Sequence, residues 1–205
     1  CKYLPLLEKA AEEGLKKRPW KDDPIAELIR KQGEEHEKKY LLSLEKNGNE
    51  ILEITGGNTR EKAEKTKAAM KAGADVISQG ALMNDTWFGY ADFLVKVDTP
   101  SDLGAYSYIV EDAKLSAEVK GEAIIQLCIY AELVKEIQGK YPDKIVVVNP
   151  AGRHEYVPEE YVAYLRHVQD KYVQSAHLSL TSETELPDPV DRCTICNWRG
   201  YCEHQ

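Results

Sequence analysis

The sequence predicts an α/β protein, a central mixed sheet flanked by helices, with a cysteine-rich segment at its C-terminal end. Three observations predict it. Apolar residues recur at helical spacing in several separate stretches, and runs rich in β-branched and aromatic residues lie between them. The last segment holds three of the five cysteines.

The elements follow in order. Residues 1–46 read as helical. From Asp23 to Glu45 the apolar positions are Ile25, Leu28, Ile29, Tyr40, Leu41 and Leu44, and Pro24 after two aspartates suits a capped start. Asn47-Gly48-Asn49 stops the helix. Residues 50–54 form a short strand candidate, and a turn at Gly56-Gly57-Asn58 leads into a helix over 59–71. Thr59 is its expected N-cap and Gly73 its end. The middle then turns β: 74–82, 87–97 and 106–114. Residues 121–137 form an amphipathic helix, 144–148 a buried strand and 158–176 a last helix. Residues 178–191 are rich in Ser, Thr, Glu and Pro and read as a linker. The expected organisation is a core over 1–177 and a tail over 178–205.

At 205 residues, with 42% hydrophobic and 30% charged content, the chain suits one globular domain with a small appendage. No run is apolar enough to span a bilayer and no signal peptide opens the chain, so a cytoplasmic location is expected. The chain opens at Cys1, which reads as a processed chain or a domain of a longer one. A net charge of −8 excludes a protein that coats nucleic acid by charge alone. It leaves room for a metal site, which concentrates carboxylates.

Cys193-Thr-Ile-Cys196 is followed five residues later by Cys202. Thiols this close, in a chain expected in a reducing compartment, favour a metal over disulfides. A CxxC turn aims two thiolates at one centre, and Cys202 reaches it from the next turn. The fourth ligand is Cys1, if the chain ends meet, or His204. Spacing alone leaves zinc and iron–sulfur equally open. Cys128 lies on the apolar face of the 121–137 helix and reads as a core thiol.

Within Tyr108-Ile-Val-Glu-Asp112-Ala-Lys114, residues two apart on a strand share a face, so Asp112 and Lys114 project together while Glu111 turns away. The acid can hold a divalent cation, and the lysine can orient and help deprotonate a water bound to it. Alone, such a pair reads as a surface ion pair more often than as a catalytic one. Its neighbours change the balance. Gly89-Tyr-Ala-Asp92-Phe-Leu-Val sets an acid in an apolar strand, a costly burial that a metal shared with Asp112 would explain. His36, in Gly33-Glu-Glu-His36-Glu, is a further ligand candidate. Gln126 and Tyr130 are four apart on one helix face and can aim at a nearby phosphate, or simply border the core.

Taken in order, His36, Asp92, Asp112-Ala-Lys114 and Gln126-Leu-Cys-Ile-Tyr130 resemble the RecB-like nucleases of the PD-(D/E)xK, restriction-endonuclease-like superfamily. The split pattern of Cys1 before that set and Cys193, Cys196 and Cys202 after it is similar to the family's iron–sulfur subgroup. That subgroup includes AddB-type nuclease domains and the CRISPR-adaptation accessory nuclease. Ala72-Gly-Ala-Asp-Val-Ile-Ser-Gln79 and Pro187-Asp-Pro look most like RecB-like proteins fused to helicases.

The resemblance implies a restriction-endonuclease-like core and a DNA nuclease, an exonuclease on single-stranded DNA or DNA ends, in DNA repair or CRISPR adaptation. It implies Mg²⁺ or Mn²⁺ held by His36, Asp92, Asp112 and the Ala113 carbonyl, with the histidine tilting the choice toward Mn²⁺. It assigns Lys114 to the attacking water and Gln126 and Tyr130 to the substrate strand. It implies a structural 4Fe–4S cluster on Cys1, Cys193, Cys196 and Cys202, closing the tail on Cys1, and a helicase or other DNA-processing partner. Two other readings stand beside it: a non-catalytic DNA-binding scaffold within a helicase–nuclease complex, and a zinc-knuckle interaction protein.

Overall fold

The computed structural model describes residues 3–20, 24–176 and 189–203. The chain divides into two units, one of Cys1–Pro24 with Arg166–Gln205 and one of Ile25–Leu165. The division falls elsewhere than at residue 177, because the N-terminal segment packs with the C-terminal tail.

The larger unit is α/β. Its elements are α2 (Pro24–Lys46), β1 (Ile51–Glu53), α3 (Thr59–Ala72), β2 (Val76–Met83), β3 (Phe88–Val97), β4 (Ser107–Ala113), α4 (Gly121–Gln138), β5 (Ile145–Asn149) and β6 (Gly152–Tyr156). A 3₁₀ turn, Pro158–Tyr161, leads into α5 (Val162–Ala176), which from Arg166 onward belongs to the smaller unit. Among the described residues the strands form one mixed sheet in the order β1-β2-β3-β4-β5-β6. β1 with β2 and β4 with β5 are parallel, each bridged by a helix (α3 and α4), and the other pairs are antiparallel. Helix α3 starts on a reciprocal cap in which Asn58, not Thr59, accepts from the Glu61 amide while Glu61 accepts from the Asn58 amide. Gly73 closes it in the left-handed conformation.

The main core joins α3 and α4 to one face of the sheet through Met70, Ile77, Leu94, Val110, Leu127 and Val147. A second cluster, Leu44, Val76, Phe93 and Ala113, lies under the C-terminal half of α2. The predicted core positions Ile25, Leu28 and Ile29 instead stand more than half exposed, at 70%, 56% and 56%. Every residue of β4 is buried, as expected of a strand covered on both faces.

The smaller unit carries α1 (Leu4–Glu12), a 3₁₀ turn at Asp191–Ile195 and α6 (Arg199–Cys202). Tyr3, Leu6, Leu7 and Trp198 form its core, and the Trp198 indole donates to Glu8 at 2.7 Å. Most of the 178–191 linker and His204 lie outside the described residues. No helix of the described residues is long and apolar enough to cross a membrane.

Candidate metal centre at the fork of the sheet

Pairing between β3 and β4 ends at Phe93 and Glu111. Beyond that pair, β3 continues against β2 and β4 against β5, so the sheet forks. Asp92 and Asp112 are the first residues past the fork on their strands. The Ala113 amide spans the gap and donates to Asp92 Oδ2 at 3.1 Å.

Asp112 is 2% exposed. Lys114 Nζ donates to its Oδ1 at 3.0 Å. Its Oδ2 lies 2.9 Å from the same ammonium, close enough to count as an ion pair but outside hydrogen-bond geometry, and finds no other partner. Distance governs the Coulomb attraction, yet this buried oxygen remains an unsatisfied acceptor. His36, half-buried on α2, also leaves a buried Nε2 without a partner. The orphaned Asp112 oxygen lies at the acid pair, and the His36 nitrogen is carried on α2 next to Glu37, the residue of that helix whose charge reaches Asp92 and Asp112. Carboxylate oxygen and imidazole nitrogen are donors that a divalent cation accepts.

The electrostatics agree. Burial pushes Asp92 up to about 8, and the neighbouring carboxylates Asp112 and Glu37 push the same way. Glu37 is itself raised by burial and then by Asp112. Burial alone would lower Lys114, but contact with Asp112 outweighs it and the net shift is upward, so the side chain is an ammonium at neutral pH. Three acids crowd one cation, an imbalance that a bound cation would relieve. Among the described residues, no three His, Cys, Asp or Glu side chains are already gathered to hold a metal ion.

Gln126 and Tyr130 meet as the sequence predicts. The Gln126 amide donates to the Tyr130 hydroxyl at 2.8 Å, and Tyr130 senses Asp112, Asp92 and Lys114. Gly89 lets Tyr130 take this place, because a Cβ there would fall 2.3 Å from its ring.

Sequence reasoning missed two contributors, Glu37 and Gln79, and the partners of Glu111. Glu37 adjoins His36 on α2, where nothing local sets it apart from the other acids of that helix. Gln79 sits opposite Asp92, flanked by the Ser78–Phe93 and Gly80–Ala91 pairs, with φ 55°. Such a conformation costs a non-glycine residue about 1–3 kcal/mol. Its amide reaches the Glu37 carboxylate at 3.4 Å. Glu111, 1% exposed, turns to the opposite face, where Tyr40 and Arg153 donate to its carboxylate. Arg153 also donates to the Tyr40 hydroxyl at 3.0 Å, so the network ties α2, and with it His36 and Glu37, to β4 and β6. None of these long-range contacts leaves a local sequence signal.

In the smaller unit, Cys193, Cys196 and Cys202 line one cavity of about 640 Å³ with Leu4, Leu7 and Trp198. Burial raises the Cys202 thiol, and Cys196 and Cys193 raise it further. The Val190 amide donates to Cys193 Sγ at 3.4 Å. Cys1 lies outside the described residues. Cys128 is a buried core thiol.

No protein-family model matches the chain, and no curated protein matches it. Among solved structures it is similar to the crystal structure of SSO0001, with 17% sequence identity and a TM-score of 0.38, over 96% of this chain and 94% of that one.

Proposed function

We propose that the chain is a Mg²⁺- or Mn²⁺-dependent DNA nuclease with a restriction-endonuclease-like core of the RecB-like kind, acting on single-stranded DNA or DNA ends. The observation that carries the reading is the fork itself: Asp92 and Asp112 on diverging strands, Lys114 ion-paired with Asp112, and buried Asp112 Oδ2 and His36 Nε2 without hydrogen-bond partners. His36, Asp92, Asp112 and the Ala113 carbonyl would hold the cation, with Glu37 beside them. When bound, it supplies Lewis-acid polarisation of a phosphodiester and a more acidic water.

The chain's own residues do the rest. Lys114, charged at neutral pH, offsets negative charge developing on the phosphate and orients the attacking water; its raised pKa suits a cation better than a base. Tyr130, held by Gln126, presents a hydroxyl to the substrate strand beside the acids. The Tyr40–Glu111–Arg153 network anchors α2, the helix that carries His36 and Glu37, to β4 and β6.

A 4Fe–4S cluster on Cys193, Cys196, Cys202 and Cys1 is the second part of the proposal. It is supported by three thiols on one cavity wall, apolar surroundings and an amide donated to sulfur. The cluster is structural, and a helicase or other DNA-processing protein is the partner the reading suggests. Cleavage of end-labelled single-stranded DNA with Mn²⁺ tests the enzyme. Wild type cleaves and Asp112→Ala does not; binding without cleavage by wild type would favour the scaffold reading.

A further inference from the structure

The β2–β3 hairpin carries exposed apolar side chains beyond the fork. Phe88 is 64% exposed and Tyr90 38%, and Met83, paired with Phe88 across the hairpin, is 37%. Gly89 between them and Ala91 after them turn inward: Gly89 faces the Tyr130 ring, and Ala91 is fully buried. Phe88 and Tyr90 therefore share the outward face. At about 3.4 Å per residue, Tyr90 lies about 7 Å along the strand from Asp92, and Phe88 about 7 Å further out.

Tyr90 is held in place. Its hydroxyl bonds Thr59 Oγ1 at 2.9 Å, and Lys62 Nζ stands 5.5 Å from its ring centroid. The strip thus joins two aromatic rings at the reach of one extended nucleotide per step, a lysine beside them, and an acid pair at its inner end. Aromatic rings set along a basic groove are how proteins hold unpaired bases, since every base has a stackable face.

We infer that Phe88 and Tyr90 form a base-stacking strip that leads single-stranded nucleic acid to the acid pair, one base per ring, with Lys62 facing the phosphates. The inference rests on the nuclease reading and names its substrate path. A duplex, whose bases are already stacked, gains nothing from it.

The test is binding, without divalent metal, of a fluorescent oligothymidylate and of an abasic strand of the same length. Wild type binds the base-bearing strand more tightly. Phe88→Leu and Tyr90→Leu each weaken that binding about 5-fold or more, leaving abasic binding and the melting temperature unchanged. Tyr90→Phe, which keeps the ring and loses the Thr59 contact, binds as wild type. Equal binding of both strands by wild type, or a double leucine variant that binds like wild type, overturns the strip. If that variant also cleaves single strands with an unchanged KM, the nuclease reading stands and the strip alone falls. If wild type neither binds nor cleaves, both fall.

Discussion

Replacing Arg153 with methionine should destabilise the α/β unit and loosen its proposed metal centre without touching any proposed ligand. The Glu111 carboxylate is 1% exposed and takes hydrogen bonds from Tyr40 and Arg153. Removing the guanidinium leaves a buried carboxylate facing one hydroxyl. Breaking a fully buried ion pair costs about 3–5 kcal/mol. The Arg153 side chain is 39% exposed, so solvent screens part of the loss, and about 2–3 kcal/mol is expected. At about 2–4 °C per kcal/mol for a chain of this size, the melting temperature should fall by about 4–12 °C. Urea unfolding of wild type, Arg153→Met, Glu111→Leu and the double variant measures it as a cycle. The double variant should be more stable than Arg153→Met, because no orphaned charge remains. A cost below about 0.5 kcal/mol for Arg153→Met, or strict additivity in the cycle, would refute the reasoning.

Gly89→Ala should force the Tyr130 ring away from the acids, costing about 1–3 kcal/mol and lowering cleavage, whereas alanine at Gly33, where a Cβ meets only open space, should leave cleavage unchanged; paired melting and cleavage assays check both. In metal-free protein, Asp92 titrates at about 8 folded and near 4 unfolded, so the native state holds the extra proton between those values. Its stabilising contribution is present at low pH and is lost as pH rises toward 8; urea midpoints from pH 5 to 8.5 should fall less steeply for Asp92→Asn. In cluster-free native protein, iodoacetamide at pH 8 should modify Cys193, Cys196 and Cys202 but spare Cys128, buried with its thiol pushed up to about 11; peptide mass mapping reads this directly.

Much of the α/β unit was legible because its strands and helices have strong local periods. β6 was not, since Gly152–Tyr156 is a mostly polar edge strand with no apolar alternation. The apolar start of α2 misled in the other direction: Ile25, Leu28 and Ile29 have helical spacing, yet each stands more than half exposed among the described residues. At the site, Asp112 and Lys114 could be paired by strand alternation, and Gln126 with Tyr130 by helical spacing. What brings Asp92 to Asp112 is the end of β3–β4 pairing, a property of the sheet. Glu37 and Gln79, and the Tyr40–Glu111–Arg153 network, are joined across 42 to 113 residues, beyond any local pattern.

The central claim is that the forked acid pair and Lys114 hydrolyse DNA. Single-turnover cleavage of 5′-labelled single-stranded DNA with Mn²⁺, comparing wild type with a folded Lys114→Ala variant, tests it most directly. The account predicts a rate loss of about 10²-fold or more, the scale for removing a group that stabilises transition-state charge. Cleavage by Lys114→Ala at the wild-type rate would contradict it.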